Sequence, residues 1–190
     1  MSKARLETFS DGVIAILITI MVLELKPLET ATWEALHVSG GSILIYALSF
    51  IYLGIYWTNH HHLFHAVTHI NGRILWANLH LLFWLSLVPF ATESMHHNGF
   101  LPIPTALYGV TLFLSAISWT IMQREILRVE GRSSQLAKLL GRDLKGKISA
   151  VLYAVAIPLA LVNRWLADAI FVIVALMWLV PDRRIEAHLG

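Results

Sequence analysis

The chain is predicted to be an all-α integral membrane protein, and three features of its sequence carry that expectation. Hydrophobic residues fill 57% of the 190 positions and charged residues only 14%, against roughly 25% charged in ordinary soluble domains. Mean hydropathy is +0.66. Six apolar stretches lie near 9–25, 38–57, 74–92, 103–123, 147–163 and 165–181, each long enough for a bilayer span of roughly 17 to 25 residues.

The first stretch is the most telling. Ser10 and Asp11 open a run from Gly12 to Leu23 that is apolar apart from Thr19, and Arg5 stands six residues before Asp11. An acid at the mouth of a membrane helix is a functional candidate, because charge near hydrocarbon is costly and is kept where a partner or a wet path compensates it. The stretch is expected to be retained rather than cleaved as a signal peptide, since Glu24 and Lys26 stand where a small-residue cleavage site would be.

Helix 2 is expected after Thr30 and Thr32, both suited to N-caps. Helix 4 starts at Pro102 and Pro104, where a missing amide donor costs least. Arg124 to Lys147 is read as a prolongation of helix 4 to about Gly131, followed by a short surface helix in a basic, lipid-facing collar. Only Asn163 and Arg164 separate helices 5 and 6, which form either a tight hairpin or one long interrupted element. Pro181 ends the last. No half of the chain repeats the other, so residues 1–190 read as a single six-helix domain.

With the N-terminus in the cytosol, 12 of the 14 Lys and Arg fall inside, and only Lys26 and Arg164 fall outside. That bias predicts six transmembrane helices with both termini cytosolic. It also removes nucleic acid as the explanation of a pI near 9.0, because the basic residues follow topology. Cysteine is absent, which excludes disulfides, thiolate metal sites and cysteine nucleophiles. No G-x-S-x-G, H-E-x-x-H or Walker motif occurs, so no enzyme, catalytic residue or cofactor is expected.

At 100° per residue, Gly12, Ile16, Ile20 and Leu23 fall within about 40° of one line on helix 1, with Thr19 about 60° off it and Arg5 and Phe9 extending it. Asp11 falls about 140° from Ile16 and is expected to point into the bundle. An aliphatic stripe of this kind is ordinary packing by default. At the same depth, Trp57, Asn59, His60 and His61 close helix 2, and Asn78 and His80 open helix 3. Each polar group needs a partner in a low-dielectric setting, so these residues are expected to form a structural network with Ser10 and Asp11.

The segment Arg5-x-x-x-Phe9-Ser10-Asp11 resembles the R-x-x-x-F-S-D signature of the transmembrane protein 175 family of potassium channels. Tyr56-Trp57-Thr58-Asn59-His60-His61, Asn78-Leu79 and Pro89-Phe90 are similar to it as well. Eukaryotic members carry two six-helix repeats and this chain has one, so the resemblance implies a prokaryotic homotetramer, multi-pass in the cell inner membrane and surrounded by lipid. It further implies a potassium pathway lined by helix 1, with Ile16 at a hydrophobic constriction, Thr19 as a hydroxyl layer, and Ile20 and Leu23 continuing the lining. Arg5, Phe9, Ser10 and Asp11 then hold helix 1 against its neighbours. No T-V-G-Y-G carbonyl filter is present, so selectivity has to come from other groups.

The histidines offer an alternative. His61, His65 and His69 recur every four residues and would share a face if the helix ran that far, as in a membrane metal-binding protein. His96 and His97 are expected on the outer side and cannot complete that site, so no metal ligand is assigned. Imidazole titrates near neutrality, which leaves a proton-conducting channel open as well. A non-conducting scaffold is the third reading.

Overall fold

The computed structural model describes residues 2–28, 30–131, 137 and 143–179, and no strand occurs among them. Among the described residues the helices whose ends are defined are, in order, α1 (Lys3–Leu23), α2 (Trp33–His65), α3 (Gly72–Ser86), α4 (Val88–His97), α5 (Pro102–Glu130), α6 (Leu144–Val162) and α7 (Arg164–Leu179). Five spans are long and apolar enough to cross a membrane among the described residues: α1, α2, α3 with α4, α5 and α6. α7 adds 16 apolar residues. Pro181, Arg183, Arg184 and the surface helix expected after Gly131 lie outside the described residues.

The helix ends differ from the apolar boundaries for a simple reason. A helix satisfies its own backbone whether its side chains are apolar or not, so it continues past the hydrocarbon. α1 thus begins at Lys3 rather than near residue 9, and α2 runs to His65 rather than closing at residue 57. Asp11 is therefore two turns inside α1, not at its mouth. At the start of α2, the Thr32 hydroxyl accepts from the Ala35 amide at 3.2 Å.

The third span is broken once. Leu87 ends α3 and starts α4, two residues before Pro89, whose ring nitrogen has no hydrogen to give to the preceding turn. Asn163 adopts extended backbone between α6 and α7, and the two helices pack together as a hairpin. Gly131 ends α5 at φ 90°, a conformation that costs glycine little.

Two cores hold the bundle. One joins α1, α2, α3 and α5 through Leu6, Ile14, Leu53, Phe64, Leu81 and Met122. The other joins α2, α4, α5, α6 and α7 through Tyr52, Met95, Tyr108, Tyr153 and Phe171. Within the second core, Ser49 Oγ lies 2.7 Å from Thr92 Oγ1 and 3.0 Å from Tyr108 Oη. Tyr52 Oη donates to the Phe171 carbonyl at 2.6 Å. α1 packs against α2, α3 and α4 at one edge of the bundle.

The second core also depends on a close approach at Gly109, where an added Cβ would stand 3.1 Å from Phe171 Cζ and 3.2 Å from Ile157 Cγ1. Gly109→Leu is expected to overpack this contact and lower stability by roughly 1–3 kcal/mol. A thermal melt of the purified protein checks it, and an unshifted melting temperature would mean that α5, α6 and α7 are not closely packed at Gly109.

Candidate functional site

The two faces of α1 are chemically distinct. Leu6, Ser10, Ile14, Leu17 and Met21 are buried, spaced three and four residues apart as one face of a helix requires. The opposite side leaves Ile16 57%, Ile20 40% and Leu23 79% exposed. Phe9, Gly12, Arg5 and Thr19 are exposed with them. A helix this apolar on its outward side needs lipid or another protein surface against it.

Thr19 interrupts the aliphatic stripe with a hydroxyl already committed as a donor. Its Oγ1 lies 3.0 Å from both the Ala15 and Ile16 carbonyls. With the hydrogen turned back on the helix, the oxygen lone pairs remain for an outside partner. An exposed oxygen in that state is an acceptor for a cation.

A buried relay fixes the inward face. His60, only 1% exposed, donates from Nε2 to Asn78 Oδ1 at 2.8 Å. Asn78 Nδ2 donates to Ser10 Oγ at 3.0 Å, and Ser10 Oγ donates to the Leu6 carbonyl at 2.9 Å. The chain of donors runs one way, from α2 through α3 to α1, and it sets the hydrogen of the imidazole on Nε2. The ring of Phe64 lies 4.5 Å from that of His60, centroid to centroid.

Asp11 belongs to a different contact. It accepts from Trp57 Nε1 at 3.0 Å and is half-buried at the seam of α1 and α2, while Ser10 rather than Asp11 faces the interior. The side predicted for Asp11 is thus shifted by one residue, or 100° of helix. Trp57 stacks on the exposed His61 at 6.3 Å between ring centroids. Lys3 Nζ, donating to the His65 carbonyl at 3.0 Å, ties the start of α1 to the end of α2.

The other residues expected in the network turn elsewhere. Asn59 donates to the Ile55 carbonyl of its own helix at 2.8 Å and borders a cleft toward α5 and α6. His80 is exposed and accepts from Trp84 Nε1 at 3.0 Å. His61 and His65 stand 6.4 Å apart by ring centroid, yet no three His, Asp or Glu side chains among the described residues converge as a metal site requires.

Glu130 supplies a contact that composition alone does not reveal. Its Oε1 accepts from the amides of Thr68 and His69 at 2.7 Å and 3.1 Å, and both carboxylate oxygens accept from the Thr68 hydroxyl. The end of α5 thereby pins the loop between α2 and α3. That loop carries the chain from His60 to Asn78.

A potassium channel of Chryseobacterium sp. (strain P1-3) is 50% identical to this chain over 189 residues, covering 100% of this chain and 98% of that one. A sequence model of the family described as endosomal/lysosomal potassium channel TMEM175 matches residues 5–89. The chain belongs to the TMEM175 family. The endosomal/lysosomal proton channel TMEM175 of Danio rerio is 31% identical over 110 residues, which are 52% of this chain and 21% of the zebrafish protein. The fold is also that of the lysosomal potassium-selective channel TMEM175 homologue from Chamaesiphon minutus, at a TM-score of 0.79 and 24% identity over 94% of this chain and 96% of that one. The family match spans α1 and both partners of its buried relay.

Asn78 is the member of the relay bonded on both sides, and its loss strands His60 and Ser10 together. Asn78→Ala is expected to lower stability by roughly 1–3 kcal/mol, the cost of leaving buried polar groups unpaired. Asn59→Ala should cost clearly less, because only one carbonyl of its own helix loses a partner. Paired thermal melts test the contrast, and equal losses would mean that the relay is not a distinct structural unit.

Proposed function

We propose that this chain is the subunit of a potassium-selective cation channel that assembles as a homotetramer with α1 around the central axis. The observation that carries the reading is the outward face of α1. It is aliphatic, exposed and interrupted by one acceptor oxygen, while the opposite face is bolted to α2 and α3. The named activity of the Chryseobacterium relative supports potassium as the ion.

In such an assembly, four copies of Ile16 form a constriction narrow and apolar enough to exclude water, and Ile20 and Leu23 extend it. Dewetting closes the path without any moving lid. Four Thr19 oxygens offer a partly dehydrated cation acceptors just beyond the neck. Ser10 and Asp11 act in architecture rather than in ion coordination, through their contacts with α3 and α2, and Arg5 and Phe9, exposed on the outward face, do so against the neighbouring subunits. The charge bias of the sequence supports both termini in the cytosol, the whole chain acting as one multi-pass domain in the cell inner membrane.

A proton channel is the second reading, supported by the name of the zebrafish relative. Reconstitution into liposomes separates it from the first. The purified protein should carry potassium down its gradient and give a reversal potential that follows potassium rather than sodium or pH. A potential that tracks only the pH gradient would favour protons, and no flux in correctly assembled protein would leave a scaffold.

Two substitutions probe the path itself. Ile16→Asn should raise conductance several-fold, because four polar side chains wet the neck; current equal to that of the parent would take Ile16 off the path. Thr19→Val keeps the shape and removes the oxygen. It should lower the preference for potassium over sodium more than it lowers total current, so an unmoved reversal potential would deny the hydroxyl a selective role.

A further inference from the structure

The perimeter of the bundle is of two kinds. Every exposed side chain from Ile148 to Leu161 on α6 and from Leu166 to Leu179 on α7 is apolar, as a surface that meets only hydrocarbon has to be. α3 departs from this. Its outward stripe runs through Trp76, His80 and Phe83, all exposed and spaced as one face of a helix requires. An imidazole thus stands in the middle of it.

The hydrogen of that imidazole can be assigned. An indole nitrogen only donates, so the bond from Trp84 Nε1 at 3.0 Å makes His80 Nε2 an acceptor and leaves the hydrogen of the ring on Nδ1. This bond is the ring's one hydrogen bond among the described residues. The Nδ1–H therefore needs an acceptor from outside the subunit.

Lipid does not supply one at this depth. The span Gly72–His97 has 26 residues and is about 39 Å long against about 30 Å of hydrocarbon, with His80 about 12 Å along it. His80 is inside the apolar layer. Trp84 stands one turn further in and meets the imidazole edge-on at 6.4 Å between centroids, and Phe83 meets Trp84 in the same way at 5.1 Å. The three rings hold the imidazole away from the headgroups.

We propose that this face of α3 packs against a second copy of the chain, and that His80 Nδ1–H donates to an oxygen of that copy. The inference rests on the homotetramer reading and says which surface closes the ring. α3 packs directly on α1, so an assembly that gathers the outward faces of α1 at its axis brings α3 against the next subunit. α6 and α7, apolar throughout their exposed faces, are left for lipid. Trp76 and Phe83 give the contact large rigid surfaces of the kind that anchor protein interfaces, and His80 fixes its register, because an unpaired N–H in hydrocarbon is costly.

The test is photocrosslinking of the purified protein in liposomes, with p-benzoylphenylalanine in place of Phe83 or, in separate preparations, of Trp76, Val155 or Ile173. Native mass spectrometry of the same preparations counts the subunits. The expected result is subunit-to-subunit adducts from positions 83 and 76 and lipid adducts from positions 155 and 173. His80→Leu keeps the bulk and removes the donor, so it should make the assembly dissociate at about tenfold higher protein concentration, whereas Val155→Leu should not move that concentration. An oligomer that gives lipid adducts at 83 and 76, or subunit adducts at 155 and 173, would overturn the proposal and leave the tetramer standing. A single subunit by mass would remove the tetramer itself and this contact with it. Assembly unmoved by His80→Leu would take His80 out of the contact.

Discussion

The amide of Asn78 is the point on which the orientation of α1 depends. Hydrocarbon offers no water to a side chain that misses its partner, so a buried amide with a donor and an acceptor must find both in the protein. Asn78 finds the acceptor in Ser10 of α1 and the donor in His60 of α2. A rotation of α1 by one residue would carry Ser10 about 100° away. The amide would then be left without its acceptor.

Once that rotation is set, the rest of α1 follows from helical geometry. Ile14, Leu17 and Met21 face the core with Ser10, and Ile16, Thr19, Ile20 and Leu23 face out. Trp57 and Lys3 reinforce the same docking from the seam with α2. Behind them, Glu130 steadies the loop that carries the chain from α2 to α3. The aromatic cleft sits on the far side of α2, served by α5, α6 and α7. One helix therefore borders two chemically separate regions, with His60 turned to the relay and Asn59 turned to the cleft.

The spans were legible because an apolar run of bilayer length has few other uses. Their ends were not, since polar residues such as those of Lys3 to Thr8 and Thr58 to His65 extend a helix without breaking its hydrogen bonds. Depth along the membrane was enough to bring Ser10, His60 and Asn78 to one level. It could not sort neighbours separated by a single 100° step: Ser10 from Asp11, or His60 from Asn59. The break at Leu87 follows from Pro89, whereas the five rings of the cleft come from positions 52, 56, 119, 153 and 178. No local period connects those, and only tertiary packing assembles them.

The central claim is that the exposed face of α1 lines the ion path. The chain contains no cysteine, so a single thiol can be placed at one position without background. The decisive measurement is the current through reconstituted Ile16→Cys protein during exposure to a cationic methanethiosulfonate reagent, with Leu17→Cys as the buried comparison. The account predicts that current falls as Cys forms its adduct at position 16 and holds steady at position 17. Complete modification at position 16, established by mass, with current unchanged would contradict it.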